Sequence, residues 1–282
     1  MANTTTTQID SMVNNWAEKT LLARAYPHFV HAMWAQVKDI PSKRSATVKF
    51  RRYSNLTAAT TALTEGVTPT GSQLAKTDIT ASVSSYGDFI TLSDFLEMTA
   101  IESVRVEALQ ALGDQTGDTL DQLVRDTIHS STTIQYASTA TTRATVLAGM
   151  ILNGDEVREA LRTLVGNNAK PITSQIDPES GFNSSPVAAS FIGIISEDTL
   201  YDLENDPDWV PVEEYASPSQ VLGDFEVGKL KRVRFVLAGS NAKTFSSTVT
   251  VHSTIILGQE FYAISRISGS ALEIITKSAQ GD

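Results

Sequence analysis

Three aspartates in one predicted helix have the type and spacing that come nearest to those of a catalytic or cation-binding site. Asp114, Asp118 and Asp121 stand at positions i, i+4 and i+7, so a helix places them on one face. Paired carboxylates can transfer protons or hold a cation, but only in a cleft where other polar groups converge on them. Because residues 97 to 126 hold seven acidic residues and two arginines, we interpret these aspartates as part of a charged stripe that faces solvent or another molecule. A soluble hydrolase that uses Asp114 and Asp118 stays open as an alternative.

The sequence contains two weak candidates for a metal site. His28 and His31 have the spacing of a ligand pair, but no third ligand lies near them in the sequence, and we expect both to be surface or interface residues. Residues 202 to 209 alternate acidic side chains as a calcium-binding loop does, yet Pro207 stands where an EF-hand requires glycine. We interpret this segment as an acidic turn, and we predict no metal and no cofactor.

The sequence lacks the motifs that mark common catalytic sites. It has no glycine-rich dinucleotide motif, no phosphate-binding P-loop and no serine nucleophile motif. It has no cysteine, which excludes disulfides, thiol catalysis and cysteine-based zinc sites. We therefore predict a protein that is not an enzyme.

Charge is distributed unevenly along the chain. Residues 1 to 52 hold eight lysines and arginines against three acidic residues, an excess of 5 positive charges; the whole chain has a net charge of -10, so the remainder carries -15. A basic segment can bind nucleic acid, a membrane, or an acidic surface of another copy of the chain. Trp16, Tyr26 and Trp34 lie among these basic residues, but an acidic chain repels phosphate. We expect at most non-specific contact with DNA.

Composition and element order define the fold class. The 282 residues include 41% hydrophobic and 19% charged residues, the balance of a globular chain. No apolar run reaches the ~18 to 20 residues needed to cross a bilayer, so no membrane partner is expected. The order of strands, a very long helix and then a mixed region predicts the α+β class.

The first part of the chain reads as an arm followed by two strands. Apolar residues at helical spacing predict short helices within residues 11 to 40. Alternation predicts strands at residues 46 to 53 and 79 to 92, with a phase change near Gly87 in the second. The connection at residues 55 to 79 is polar, rich in threonine and longer than the ~12 to 15 residues usual for a structureless loop.

The clearest helix spans residues 99 to 130. Its apolar residues form one stripe, and its length, on the order of 48 Å, exceeds that of most globular helices. Gly113 and Gly117 each cost about 1 kcal/mol of helix stability relative to alanine. Such glycines are tolerated where another backbone passes close by or where the helix bends.

Further elements follow in the second half of the chain. A helix at residues 154 to 165 is expected to begin with Asn153 as its N-cap and Glu156 completing a capping box. Residues 191 to 195 predict a fully buried strand, and Ser196 the start of another helix. Later strands are predicted at residues 232 to 238, 248 to 257 and 260 to 267.

Several long stretches of the sequence match one known family. They are the run from MANTTTT to TLLARAYP, KFRRYSNLTAATTALTEGVTPTGSQLAKTDITASVSSYGDFITLSD, LGDQTGDTLDQLVRD, NNAKPITS and FIGII. Over nearly its whole length the chain resembles the major capsid proteins of N4-like tailed bacteriophages. The resemblance implies the Hong Kong 97-type capsid fold, an α+β fold with an N-terminal arm, an extended loop, a long spine helix, and peripheral and axial domains.

The resemblance also implies a division of the chain. The implied segments are an N-terminal arm at residues 1 to 45, an extended hairpin-like loop at 46 to 92, a peripheral domain with the spine helix at 93 to 152, an axial domain at 153 to 240, and return strands to the peripheral domain at 241 to 282. Members of the family continue past the position that matches Lys277. Either the C-terminus is truncated here or this member is short.

The function implied by the resemblance is that of a shell subunit. Its copies are expected to form hexamers and pentamers of an icosahedral head around double-stranded DNA, with a portal and scaffolding or decoration proteins as further partners. The expected location is the virion, after assembly in the cytoplasm of the bacterial host. An encapsulin-like cargo compartment of the same fold is the nearest alternative. Covalent cross-linking through Lys76 is not expected, because no matched asparagine and catalytic acid accompany it.

The loop and the acidic helix are the places where we expect copies to meet. The loop has too few apolar groups to offset its ordering entropy of ~1 to 2 kcal/mol per residue, so a neighbour would have to hold it. The basic residues before the loop are natural partners of the acidic helix, within one chain or across a contact. The predicted inter-subunit contact residues are Lys49, Arg51, Arg52, Tyr53, Glu65, Thr68, Lys76, Asp114, Asp118 and Asp121.

Overall fold

A computed structural model describes most of the chain. The described residues are 10 to 25, 29 to 43, 45 to 93, 95, 96, 103 to 131, 133 to 172, 189 to 215, 221 and 225 to 268, with backbone alone at 10 to 16, 18 and 131. His28, Tyr26, the side chain of Trp16 and the first residues of the predicted long helix lie outside this set.

The secondary structure within these residues is mixed. The helices are α1 (Asp10–Ala25), α2 (Val104–Ser131), α3 (Gly154–Gly166) and α4 (Glu197–Glu204). The strands are β1 (Gln36–Ile40), β2 (Thr47–Tyr53), β3 (Lys76–Ser82), β4 (Phe191–Ile195), β5 (Trp209–Pro211), β6 (Glu226–Leu230), β7 (Val233–Leu237), β8 (Thr244–Ser246), β9 (Thr250–His252), β10 (Ile255–Leu257) and β11 (Ala263–Ile267). Among these helices, none is both long and apolar enough to span a bilayer.

The chain divides into two compact units. The core unit comprises residues 1 to 36, 88 to 263 and 274 to 282, and the hairpin unit comprises residues 37 to 87 and 264 to 273. A five-stranded sheet in the order β10-β4-β7-β6-β5 organises the core unit. Strands β4 and β7 are parallel, and the other neighbours in this sheet are antiparallel. Strand β10 lies beyond residue 240, so this sheet draws on more of the chain than the predicted axial segment.

Strand β4 is buried on both faces, as its uninterrupted apolar sequence predicts. Ile192 and Ile194 point to one face, and Phe191 and Ile195 to the other. The cluster on the first face consists of Val30, Trp34, Ile128, Ile172, Ile192, Ile194, Val236, Ala238, Ile255 and Leu257. The cluster on the second face consists of Val157, Phe191, Ile195, Leu200, Leu203, Leu230, Val233 and Phe235. One strand therefore joins the layer of α2 to the layer of α3 and α4.

Two glycines in the sheet make room for aromatic rings. Gly193 of β4 and Gly228 of β6 both lie opposite Phe235 of β7. A Cβ atom at Gly193 would stand 2.5 Å from Phe235 Cδ1, and one at Gly228 would stand 2.3 Å from Trp209 Cζ2. The rings thus occupy the space where side chains would otherwise stand, and they cover the glycine backbone.

Helix α2 is the long helix that the apolar stripe predicts, and α1 packs against it. The glycine at position 113 permits the contact, because a Cβ atom there would stand 3.0 Å from Arg24 Cβ and 3.1 Å from the Leu21 carbonyl oxygen. Of the two explanations left open for Gly113, a close backbone and a bend, the structure shows the close backbone. Ala17, Leu21 and Ala25 form the buried stripe of α1 on this side.

The predicted helices between residues 29 and 40 are wrong for the second part of the arm. Val30 and Trp34 have helical spacing because both side chains enter the first core cluster, but the backbone there forms turns. Residues 36 to 40 form β1, which pairs with β11 from the other end of the chain. Long-range strand pairing has overridden a local pattern.

Three further expectations are corrected. The predicted strand at residues 79 to 92 begins earlier, at Lys76, and ends at Ser82, because Ser82 pairs with Thr47, the first residue of β2. The predicted strand at residues 248 to 257 is divided into β9 and β10. Asn153 caps α3 by accepting from the N–H groups of Asp155 and Glu156, but the Glu156 carboxylate accepts from Ser138 N at 2.5 Å, so the capping box does not form.

The hairpin unit is built on a regular antiparallel pair. Strands β2 and β3 pair without a bulge from Thr47↔Ser82 to Tyr53↔Lys76. Strands β1 and β11 form a second pair, and Arg266 Nε donates to Asp39 Oδ1 at 2.7 Å across it. Lys38 lies 5.4 Å from the ring centroid of Phe50. The predicted strand at residues 46 to 53 is confirmed.

Replacing Gly113 with valine tests the close packing of α1 on α2. We expect Gly113→Val to lower the free energy of unfolding by about 1 to 3 kcal/mol, because the added atoms meet the Leu21 carbonyl and Arg24 Cβ. The matched control is Gly166→Ala in α3, where nothing lies within 4 Å, and it should be neutral or stabilising by up to about 1 kcal/mol. Urea unfolding of both variants measures the difference, and equal effects would contradict the packing argument.

Candidate assembly surfaces

The connection between β2 and β3 buries almost nothing within the chain. Every residue from 51 to 80 is exposed. The exposed fraction is 77% for Leu63, 63% for Val67 and 61% for Leu74, values that a folded chain rarely leaves for large apolar side chains grouped in one loop. The loop therefore presents apolar and threonine side chains to the surroundings of the chain.

Few contacts within the chain shape this loop. Ser54 N donates to the Ala75 carbonyl at 2.9 Å, which extends the β2–β3 ladder by one step. Val67 N donates to the Thr64 carbonyl at 3.2 Å in a turn that contains Gly66 at φ +78°. At the base of the loop, a shallow depression of about 330 Å³ is lined by Arg52, Tyr53, Ser54, Asn55, Thr77 and Ile79.

Charge on the stem of the loop is partly neutralised within the hairpin. Arg51 Nε donates to Asp78 Oδ1 at 2.9 Å, and the two residues are directly paired across β2 and β3. The hydrogen bond to Asp78 raises the pKa of the Arg51 guanidinium. The described partner of Arg51 is thus Asp78 rather than the acidic helix. Lys49 contributes its carbonyl to Lys38 Nζ at 2.9 Å.

A second apolar surface lies in the core unit just before α2. Gln115 Nε2 donates to Asp88 Oδ2 at 2.8 Å, which fixes the start of this segment to α2 and lowers the pKa of the Asp88 carboxyl. Phe89 is 79% exposed and Phe95 is 76% exposed. Aromatic rings with that exposure are typical anchors of protein interfaces.

The three aspartates of α2 do not share one environment. Asp114 Oδ2 accepts from Arg24 Nη2 at 3.2 Å in an exposed ion pair, and Asp118 Oδ1 accepts from Asn241 Nδ2 at 3.2 Å. Asp121 is fully buried. The expectation of a solvent-facing or interface-facing stripe is therefore wrong at Asp121, because other parts of the core unit cover that end of the face.

Asp121 binds His31, which is also buried. His31 donates its backbone N–H to Asp121 Oδ1 at 2.7 Å, and its Nδ1 lies 2.7 Å from Asp121 Oδ2. Tyr262 donates its hydroxyl to the His31 carbonyl. The prediction of a surface or interface histidine is wrong for His31, which is buried and binds the Asp121 carboxylate within the chain.

The aspartates also fail to converge on one point where an ion or substrate would be held. Each binds a different structural partner, and the described residues include no group of three histidine or acidic side chains placed to hold a metal. In the acidic turn, Asp206 accepts from Gly154 N at 2.6 Å and from Asp208 N at 2.9 Å. Lys231 Nζ lies 2.6 Å from Asp208 Oδ2. The hydrogen bonds and the ion pair of this turn thus connect the start of α3 to the sheet.

One cluster contains the residue types of a catalytic triad without its geometry. His252 Nδ1 lies 3.3 Å from Ser196 Oγ and 3.5 Å from Asp198 Oδ2. A triad requires Nε2 toward the serine and Nδ1 toward the carboxylate, whereas here one nitrogen faces both. Ser196 is also buried and accepts from Thr199 N as the N-cap of α4. The cluster stabilises the start of a helix.

Sequence reasoning missed the buried ion pair of the sheet. Arg234 Nη1 donates to Glu226 Oε1 at 2.8 Å, and the Tyr215 hydroxyl donates to the same oxygen at 2.7 Å. Burial, and then the hydrogen bond to Glu226, raise the pKa of the Tyr215 hydroxyl well above its usual value, while the charge of Arg234 opposes this shift. Only Arg234 lies in a strand that the sequence predicts, at residues 232 to 238, whereas Glu226 lies in β6, which was not predicted from the sequence.

Comparisons with known proteins identify the fold. No protein-family model matches the chain, and no curated protein matches its sequence. The structure is similar to the capsid of Ralstonia phage GP4, with a TM-score of 0.57 and 14% sequence identity over 86% of this chain and 75% of that chain. The chain thus has the mixed helix and sheet fold of a phage capsid protein.

Two other phage structures match less closely. The capsid of Cyanophage P-SCSP1u gives a TM-score of 0.47 and 16% identity over 83% of this chain and 73% of that chain. The head of Helicobacter pylori bacteriophage KHP40 gives 0.45 and 14% identity over 75% of this chain and 57% of that chain. These lower scores carry no argument about the fold.

Two single variants of α2, one at Asp121 and one at Asp114, compare the loss of a buried carboxylate with the loss of an exposed one. We expect Asp121→Ala to lower the free energy of unfolding by about 3 to 5 kcal/mol, because the backbone N–H of His31 and its ring lose their acceptor inside the core unit. Asp114→Ala, which removes an exposed pair, should cost less than about 1 kcal/mol. Chemical unfolding of both variants tests this, and similar values for the two would show that Asp121 is not the anchor.

Proposed function

We propose that this chain is a major capsid protein of an N4-like tailed bacteriophage and has the Hong Kong 97-type fold. Its copies assemble as hexamers and pentamers into an icosahedral head that encloses double-stranded DNA. The observation that carries the proposal is the fully exposed loop between β2 and β3. The fold of the phage GP4 capsid and the sequence resemblance support it.

The argument from the loop is energetic. Ordering a residue costs ~1 to 2 kcal/mol, and a loop recovers this by burying apolar surface and by hydrogen bonding. Residues 54 to 75 bury little within their own chain. Fully burying a side chain such as Leu63, Val67 or Leu74 against another subunit would return roughly 1.5 to 3 kcal/mol each. A shell supplies that burial at every subunit.

The acceptor for the loop is proposed to be the outer part of α2 and the segment before it on a second copy. The loop stem carries Lys49, Arg52 and Lys76, while α2 carries the half-buried Asp114 and Asp118 near its middle. Opposite charges at the rim of a contact favour the correct register more than they add affinity. The proposed contact residues remain Lys49, Arg51, Arg52, Tyr53, Glu65, Thr68, Lys76, Asp114 and Asp118.

The remaining parts of the proposal concern organisation and location. The arm, extended loop, peripheral domain, axial domain and return strands are proposed at the boundaries given above. The protein acts in the virion after assembly in the host cytoplasm, with a portal and scaffolding or decoration proteins as partners. It is a structural protein without catalytic activity.

Replacing two apolar residues of the loop tests the proposal. We expect Leu63→Ser combined with Val67→Ser to leave far-ultraviolet circular dichroism and the melting temperature of the free subunit unchanged, because both side chains are exposed. Assembly should fail or give particles that dissociate more easily, as seen by electron microscopy and sedimentation velocity.

Tyr201→Ser serves as the matched control. Tyr201 is 72% exposed on α4, so it resembles Leu63 in exposure but lies in the core unit. It should assemble like the wild-type chain. Normal assembly of the double variant, or equal failure of Tyr201→Ser, would contradict the role of the loop. So would a free subunit that stays monomeric at high concentration with its loop resistant to protease.

The inner surface of such a shell is expected to bind duplex DNA weakly. The net charge of -10 repels phosphate, and the excess of positive charge is confined to residues 1 to 52. Filter binding or electrophoretic mobility at low salt should show little retention for the full chain and no further loss after deletion of residues 1 to 45. Tight binding that disappears with this deletion would contradict the expectation.

A further inference from the structure

The histidine of α2, His129, lies where three parts of the core unit meet. His129 is in the last turn of the helix, beside the segment that holds His31 and beside the hairpin of β8 and β9. Its Nδ1 lies 3.4 Å from Ser253 Oγ. Its ring meets Phe245 edge to face, with centroids 6.1 Å apart and planes at 88°.

The other ring nitrogen of His129 has no hydrogen-bond partner among the described residues. Nε2 is sealed from solvent and makes no hydrogen bond within the described residues. Phe245 is already covered by a cation, because the Arg143 guanidinium lies 3.5 Å from its ring centroid. The protonated ring would therefore carry an N–H donor at Nε2 with no acceptor among the residues that the structure describes.

The charges that face His129 are mostly positive. Arg125 lies one turn earlier on α2, Lys243 precedes β8, and His31 enters from the first part of the chain. The carboxylate in this set is Asp126, and its Oδ1 already accepts from Lys243 Nζ at 2.8 Å and from Arg125 Nε at 3.0 Å. The Asp121 carboxylate is likewise engaged by His31.

We propose that protonation of His129 at acidic pH detaches the end of α2 from the strands packed against it. At neutral pH the uncharged ring packs against Phe245 and Ser253 and joins the helix to the C-terminal strands. When the ring gains its second proton, repulsion from the surrounding cations and the Nε2 donor without a partner separate the helix end from β8, β9 and the segment that follows. This detachment occurs within one subunit and does not depend on the proposed capsid role.

The electrostatic environment agrees with this arrangement. Burial first, and then the positive charges of His31, Lys243 and Arg125, lower the pKa of His129 from 6.5 to about 4. The folded pKa lies below the unfolded one, so the stabilisation is fully present above pH 6.5 and is lost as the pH falls toward about 4. Within that window the opening equilibrium should rise by up to about tenfold per pH unit.

The test is amide hydrogen exchange of the full chain at about pH 7.5 and about pH 5, corrected for the intrinsic exchange rates. We expect protection in residues 244 to 257 and in the last two turns of α2 to fall at least about tenfold at the lower pH. His129→Gln, which keeps a hydrogen-bonding group but cannot be charged, should remove most of this loss. His252→Gln, one residue from Ser253, should leave it unchanged.

A second measurement covers the case in which the His129 variant does not fold. Deuterium exchange at the imidazole C2 carbon, followed by mass spectrometry, reports the titration of each histidine in the wild-type chain. A His129 titration well below 6.5 supports the proposal, and an ordinary titration near 6.5 would overturn it. Protection that is the same at both pH values, or a pH dependence that survives in His129→Gln, would overturn it as well.

Discussion

The buried carboxylate of Asp121 is the interaction on which the arrangement of the core unit depends. A charge removed from water must have its hydrogen bonds satisfied, and Asp121 finds both partners on His31. Tyr262 in turn binds the His31 carbonyl, and its own carbonyl accepts from Gln36 N at 3.0 Å. One side chain of α2 therefore fixes the end of the arm and the approach to the last strand.

The two units of the chain are stabilised in different ways. The core unit buries a strand on both faces and satisfies its inner charges with specific partners such as the Glu226 and Arg234 pair. The hairpin unit has a regular ladder but leaves its long loop uncovered. Under the proposed function, a chain with both properties would fold before it meets its copies and would gain free energy when its loop is covered by them. That combination is what a self-assembling shell requires.

Local patterns predicted the elements whose sequence signals are local. The cap at Asn153, the N-cap at Ser196, the buried strand β4 and the long helix each follow from neighbouring residues. The burial of Asp121 could not be predicted, because a spacing of i, i+4 and i+7 assigns a face but not what covers it. Its partner is 90 positions away. The helix predicted around Val30 and Trp34 was wrong for the same reason. Both side chains enter one core cluster, and this gives helical spacing to residues that form turns.

The unbroken register of β2 and β3 has a mechanical consequence. The two strands pair over seven positions, so at ~3.4 Å per residue the stem is roughly 20 Å long before the loop begins. If this two-stranded stem tilts as one piece, a rotation of about ten degrees at its first residue pair displaces its far end by roughly 3.5 Å. In the proposed shell, identical chains would thereby meet neighbours set at different angles, which any closed surface made from one repeated part requires.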